Sequence, residues 1–247
     1  STDGSLSIIK GFAEKDKRIR IFENSANTGL TKNLNRMVSE ARGKYIARMD
    51  SDDISRPDRL VIQYNTFERE PETDLVFSDS VYIDIHDDII CQAWTPGDLE
   101  KILKSLKYEC YIPHPSVMIK KSTILSNNGY NESCRTGQDK ELWLRLLSKG
   151  SVFKYIRQPL IYYRINPSGV TFQKKKKDID YELKIITLLI DNRQKIKALK
   201  KMSGNFRSIG VKNFILLILK LVLPVQLRFY IAVLRGHKTK FEDSNFY

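Results

Sequence analysis

Apolar residues at Leu6, Ile8, Ile9, Phe12 and Ala13 recur at helical spacing and predict a helix ending near Lys15. Arg18-Ile-Arg-Ile-Phe22 alternates basic and apolar side chains and predicts a short strand. Leu30, Leu34, Met37, Val38 and Ala41 return to helical spacing, and Gly43 stops that helix. Tyr45, Ile46, Ala47 and Met49 then form a short, largely apolar run, the pattern of a buried strand. Strand, helix and strand in this order predict a right-handed βαβ unit on a parallel sheet. Beyond it the pattern predicts a helix over Arg59–Arg69, a buried strand over 75–77, an edge hairpin over 81–88 and a partly helical connection over 89–107. A strand over 113–119, a turn over 129–132, a helix with Leu142, Trp143, Leu146 and Leu147 on one face, and closing strands over 152–155 and 160–164 follow.

After residue 171 the character changes. Lys174 to Lys177 are a basic run, 179–199 reads as a long helix, and an apolar span runs from Phe214 to Leu234. That span is long enough to consider a membrane crossing. Lys220, Pro224, Gln226 and Arg228 interrupt it, and each mid-span Lys or Arg costs about 2.5–3.5 kcal/mol on insertion scales. Two short helices lying in a membrane interface fit better, with Arg228, Arg235, Lys238 and Lys240 reaching anionic headgroups. A helix pair covering the domain's own core is the other reading.

Charge supports the division. Residues 1–170 carry 25 basic and 23 acidic side chains and residues 171–247 carry 17 and 6, so +11 of the net +13 lies in the tail. An anionic membrane surface is the expected partner. Nucleic acid is not, because the basic residues are mixed with aliphatics rather than with stacking aromatics, and no zinc-finger or RNP pattern appears. Three cysteines without CxxC spacing suggest neither a zinc site nor a disulfide framework, and fit a reducing cytosolic setting.

The chemistry gathers in Lys44-Tyr-Ile-Ala-Arg-Met-Asp-Ser-Asp-Asp-Ile-Ser55, where Asp50, Asp52 and Asp53 arrive at the end of an apolar run. Carboxylates this close raise one another's pKa unless a positive charge sits among them. Asp50 and Asp52 are two apart, so on an extended strand they point the same way. Oxygen-only ligands suit Mg²⁺ or Mn²⁺, which usually share their coordination with substrate phosphates. The plainer reading is a solvated acidic turn followed by Ser55 as a helix cap.

The Asp-x-Asp-Asp turn with Pro57-x-Arg59 downstream resembles the nucleotide-sugar site of the family 2 glycosyltransferases. Asn27-Thr-Gly-Leu30 with Asn33-Leu-Asn35, the helix carrying Asp139, Trp143 and Arg145, and Tyr163-Arg164 match the same family. Ser1-Thr-Asp-Gly-Ser5 looks like the end of its Asp-Asp-Gly-Ser-Thr-Asp-Gly-Ser segment, which implies that a strand–helix–strand unit precedes residue 1. The resemblance covers 1–171 and implies an α/β GT-A domain, Rossmann-like, with a mostly parallel sheet between helices; 172–247 is the helical, basic tail. It implies transfer of a sugar, with inversion, from a nucleotide-sugar donor (a UDP-sugar) to a glycan or lipid-linked acceptor hydroxyl, in surface polysaccharide or glycolipid synthesis. The implied setting is cytoplasmic, peripheral on the inner face of the plasma membrane. It assigns Asp139 as base and Asp50 and Asp52 to a Mg²⁺ or Mn²⁺ ion. Asp3, Asn27, Gly29, Asn33, Arg48, Asp50, Ser51, Asp52 and Arg164 fall to the donor. Gln138 stands where the family usually carries Glu, and the His that often follows Tyr-Arg is missing from 165–171. His114, between two prolines, lies at the mouth of the site by this resemblance, or is a packed turn residue.

Overall fold

A computed structural model describes residues 3–166 apart from 94–97, 108–109 and 135. The expected tail over 172–247, with its membrane helices, and the opening Ser1 lie outside the described residues. The described elements are α1 (Ser5–Lys15), α2 (Leu30–Glu40), β1 (Tyr45–Ala47), β2 (Ile54–Ser55), α3 (Arg59–Arg69), β3 (Leu75–Ile83) and β4 (Ile89–Ala93). They continue with α4 (Leu99–Ser105), a 3-10 turn (His114–Ser116), β5 (Met118–Lys120), α5 (Lys121–Ser126), α6 (Gln138–Ser148) and β6 (Phe153–Arg164).

The sheet runs in the order β1-β5-β3-β6-β2, with β4 also paired to β3. Its centre is β3, whose residues from Leu75 to Ser80 are all buried because both faces of the strand are covered. On one side β3 pairs in parallel with β6 from Leu75↔Phe153 to Ile83↔Arg164. On the other it pairs first with β5, through Leu75↔Ile119 and Val76↔Met118, and farther along with β4. Side chains alternate across the sheet with period two. Leu75 and Phe77 join Leu142, Trp143 and Leu146 of α6, Ile124 of α5 and Val38 of α2 in the larger core. Val76 faces the other way, onto Phe67 of α3 and Met118.

The α/β layering agrees with expectation, but the strand directions do not all follow it. Among the described pairings only β3·β6 is parallel; β1·β5, β2·β6, β3·β4 and β3·β5 are antiparallel. A short connection such as the 84–88 turn can join only antiparallel neighbours. The strand expected over 18–22 does not form either, so the predicted βαβ unit is absent among the described residues. That segment has no ladder partner there, because β1 is a terminal strand paired to β5. Arg20 instead ties it to α2 by donating to the Glu40 carbonyl (2.7 Å) and carboxylate (2.9 Å). The two closing strands are one, β6, whose register against β3 shifts opposite Asp79, where it contains Pro159. A proline has no N–H to give the ladder, so an irregularity there is expected.

The loop before α6 is clasped from α2. Asn35 accepts from the Tyr130 N–H (2.7 Å) and donates to the Tyr130 carbonyl (2.9 Å). Gly129 makes room for it: at φ +65°, a Cβ there would lie 2.6 Å from Asn35 Oδ1. Gly129→Ala therefore meets both backbone strain and a clash, and should cost at least the ~1–3 kcal/mol of a strained residue. Urea unfolding measures it, and a midpoint equal to wild type would refute the clasp.

Candidate active site

The acidic turn leaves the end of β1. Its backbone is anchored where the Arg48 N–H donates to the Val117 carbonyl (3.1 Å) and the Asp53 N–H to the Asp50 carbonyl (3.4 Å). Asp50, Asp52 and Asp53 each offer a carboxylate oxygen, and these atoms all lie within 4.8 Å of one another. The three differ in surroundings. Arg48 forks onto both oxygens of Asp50. Asp52 is exposed, whereas Asp53 is buried. Asp53 Oδ1 accepts from the Arg164 N–H (2.8 Å), and Oδ2 is buried with no hydrogen-bond partner.

Burial, outweighing that hydrogen bond and reinforced by Asp50 and Asp52, pushes the Asp53 carboxyl up to about 6. The folded group thus holds its proton well above 3.8, where the unfolded one releases it. It costs stability above its folded pKa, and the cost fades as pH falls toward the unfolded value. Metal-free Asp53→Asn should accordingly be more stable than wild type near neutral pH and level with it near the unfolded pKa. Denaturant unfolding in chelator at both pH values tests this; equal stability at neutral pH would refute it. An oxygen-only donor set with one buried, unpartnered oxygen fits a hard divalent cation. Asp53, not assigned to the metal by the resemblance, belongs in this set.

Arg59 braces the turn from below. It is 1% exposed, and its Nη2 donates to the carbonyls of Arg48 (2.8 Å) and Val117 (3.1 Å). Its Nε donates to Gln63 Oε1 (2.9 Å), and Gln63 Nε2 donates to the Ser116 carbonyl (2.7 Å). Burial, then Arg48, lowers Arg59 to about 10, which leaves it charged at neutral pH. The Pro57-x-Arg59 motif therefore fastens the end of β1 to the start of β5.

Behind Arg48 lies a buried pair. His114 Nε2 and the Tyr130 hydroxyl are 2.9 Å apart, and the imidazole stands edge-on to Trp143 at 5.7 Å. Burial, and then Arg48, hold His114 well below its usual pKa, so it is neutral. Burial pushes the Tyr130 hydroxyl up; Arg48 opposes this and Asp139 adds to it. Both Arg48 and Asp139 therefore act electrostatically on Tyr130. Asp139 sits half-buried in the first turn of α6. Its carboxylate makes no hydrogen bond or ion pair among the described residues, and the N-cap of α6 is Gly137, at φ +71°. Arg145 fixes this helix, donating to Glu141 (2.7 and 2.9 Å) and to the Gly129 carbonyl (2.8 Å).

Among the remaining candidates, Ser51 is exposed on the acidic turn. Asn27, Gly29 and Asn33 form a separate, self-bonded loop: Asn27 Oδ1 accepts from the Gly29 N–H (2.9 Å) and Asn33 Nδ2 donates to the Gly29 carbonyl (2.9 Å). Asp3 accepts from the Ser5 N–H (3.1 Å) at the start of α1. No hydrogen bond joins that loop or Asp3 to the acidic turn among the described residues. Arg164 does reach the turn, donating from Nε to the Asp52 carbonyl (2.7 Å) and from Nη1 to the Asp84 carbonyl (2.7 Å). His114, Tyr130 and Arg59 are the parts that sequence reasoning left without a firm role. No helix among the described residues is long and apolar enough to cross a membrane.

Residues 1–125 match the sequence model of the family described as Glycosyl transferase family 2. The uncharacterized glycosyltransferase MJ1057 of Methanocaldococcus jannaschii is 38% identical over 160 residues, covering 64% of this chain and 54% of that protein. The O-antigen biosynthesis glycosyltransferase WbnJ of Escherichia coli is 31% identical over 160 residues, covering 64% of this chain and 61% of that protein. The chain thus spans little more than half the length of these relatives. Among solved structures, Staphylococcus aureus TarS 1–349 in complex with UDP-GlcNAc gives a TM-score of 0.57 at 13% identity, covering 84% of this chain and 61% of that one. The same protein in complex with UDP gives 0.54 at 14% identity, covering 92% and 64%. At such identity the likeness is one of fold.

Proposed function

The chain belongs to glycosyl transferase family 2, and from that membership we propose that it transfers a sugar from a UDP-sugar to an acceptor hydroxyl with inversion. The observation that carries this reading is the buried, unpartnered oxygen of Asp53 beside Asp50 and Asp52. The complexes of TarS with UDP and UDP-GlcNAc support the choice of nucleotide. The name of WbnJ supports a glycan acceptor in polysaccharide synthesis, with a lipid-linked glycan the alternative. The net +11 of residues 171–247 supports an anionic membrane surface as the setting.

Asp52 and Asp53, with Asp50, would hold Mg²⁺ or Mn²⁺, which supplies positive charge for the departing diphosphate. Asp139 accepts the proton of the acceptor hydroxyl as its oxygen bonds to the anomeric carbon, and the bond from that carbon to the diphosphate breaks to release UDP. Arg48 orients Asp50 by forking onto both of its oxygens. The neutral His114–Tyr130 pair fills the space behind Arg48 without adding charge. Asn27, Gly29, Asn33, Ser51 and Asp3 serve the nucleotide in this reading.

The test is UDP release from a panel of UDP-sugars, with and without Mn²⁺. Metal-stimulated release from at least one donor is expected. No release from any donor, together with no binding of UDP to the Mn²⁺-treated protein, overturns the proposal.

A further inference from the structure

The turn between β3 and β4 reaches across to the acidic site. Asp84 Oδ1 accepts from the His86 N–H (2.8 Å) and the Asp88 N–H (3.0 Å), and the Asp84 N–H donates to the Asp88 carbonyl (3.0 Å). The turn closes with Asp87 in the left-handed region, at φ +70°. So folded, it offers Arg164 two acceptors: the Asp84 carbonyl to Nη1 (2.7 Å) and the Asp87 carboxylate to Nη2 (2.6 Å). The third edge, Nε, is left for the Asp52 carbonyl (2.7 Å), while the Arg164 main chain donates to Asp53 (2.8 Å). One residue therefore grips both Asp52 and Asp53, and its orientation is set from the 84–88 turn.

We propose that Asp87 is a positioning residue for the acidic site, acting through Arg164 to fix the backbone that carries Asp52 and Asp53. The proposal rests on the reading of that turn as a metal site. It gives Arg164 a different task from the diphosphate contact implied by the family resemblance: its side chain is 16% exposed, with every edge of its fork engaged inside the protein. An exposed ion pair contributes little stability by itself. What Asp87, 65% exposed, supplies is direction, because the planar guanidinium can satisfy three acceptors only in one orientation.

The left-handed backbone dictates the variants. Asp87→Gly suits a positive φ and removes the carboxylate; Asp87→Asn tolerates the same backbone and keeps an acceptor oxygen. Two readouts are needed on the full chain without donor: Mn²⁺ affinity, from the EPR signal of free ion, and amide hydrogen exchange over 50–53. Asp87→Gly should weaken Mn²⁺ binding about tenfold, the lower end of what losing an outer partner of a metal ligand costs. Exchange over 50–53 should quicken, and the melting temperature should hold. Asp87→Asn should fall between it and wild type.

Mn²⁺ affinity or exchange unchanged in Asp87→Gly overturns the proposal. So does a loss of protection throughout the sheet with a collapse in melting temperature, since Asp87 would then be a structural residue only. Wild-type protein that binds no Mn²⁺ sinks the metal reading separately. In that event the exchange over 50–53 still decides whether Asp87 positions the turn.

Discussion

Asp52→Ala should abolish Mn²⁺-stimulated UDP release and leave the fold standing. The carboxylate of Asp52 is exposed and makes no hydrogen bond among the described residues; its structural link is the main-chain carbonyl that accepts from Arg164. Alanine keeps that carbonyl. Surface substitutions of this kind usually change stability by less than about 0.5 kcal/mol. The chemistry stands to lose far more. Asp50 is engaged by Arg48 and Asp53 by the Arg164 N–H, whereas the exposed Asp52 carboxylate has no partner among the described residues and is open to a cation. Charge stabilisation by a bound metal contributes several kcal/mol, and about 4 kcal/mol amounts to roughly three decades in rate. Turnover in the variant equal to wild type, or full wild-type activity in excess chelator, would remove the metal from the mechanism.

How much of this was legible in the sequence depends on how local each cause is. The span of α3, Arg59–Arg69, follows from apolar spacing within the segment itself, and so does the buried face of α6 with Leu142, Trp143 and Leu146. The run 18–22 has the alternation of a strand, but a strand exists only beside a partner, and no ladder forms there among the described residues. β6 looked like two pieces because Pro159 sits in it; the long parallel ladder with β3 carries the strand past the proline.

The site divides the same way. Three acids within four residues announce themselves. That Asp53 is the buried one, and that Arg59 is a brace, depend on carbonyls from Arg48, Val117 and Ser116 converging from distant segments. His114 read as a packed turn residue or a site residue; the structure shows it buried and hydrogen-bonded to Tyr130. The signal available in sequence was the Pro-His-Pro context, which predicts a rigid turn but not what that turn faces.

Asp139→Asn separates a catalyst from a helix cap. At the start of α6 an acidic side chain is favoured by the helix dipole whatever else it does. If that were its whole role, asparagine, nearly as good near a helix start, would leave transfer unchanged. The proposed function gives it a second role. Gly137 holds the N-cap position, and the Asp139 carboxylate has no hydrogen-bond partner among the described residues while raising the pKa of buried Tyr130. In the proposed mechanism this half-buried, unengaged carboxylate takes the proton of the acceptor hydroxyl. Asparagine has the same shape and cannot. A positioned base contributes about 10²–10⁴-fold, so transfer to an acceptor should fall by that range. Binding of UDP in the presence of Mn²⁺ should be unaffected, because none of the acidic turn is altered. The melting temperature should hold as well, since α6 remains fixed by Arg145 on Glu141 and the Gly129 carbonyl. Steady-state transfer and calorimetric UDP binding on the same preparation decide it: a transfer rate close to wild type, with UDP affinity intact, makes Asp139 a helix residue and sends the search for the base elsewhere.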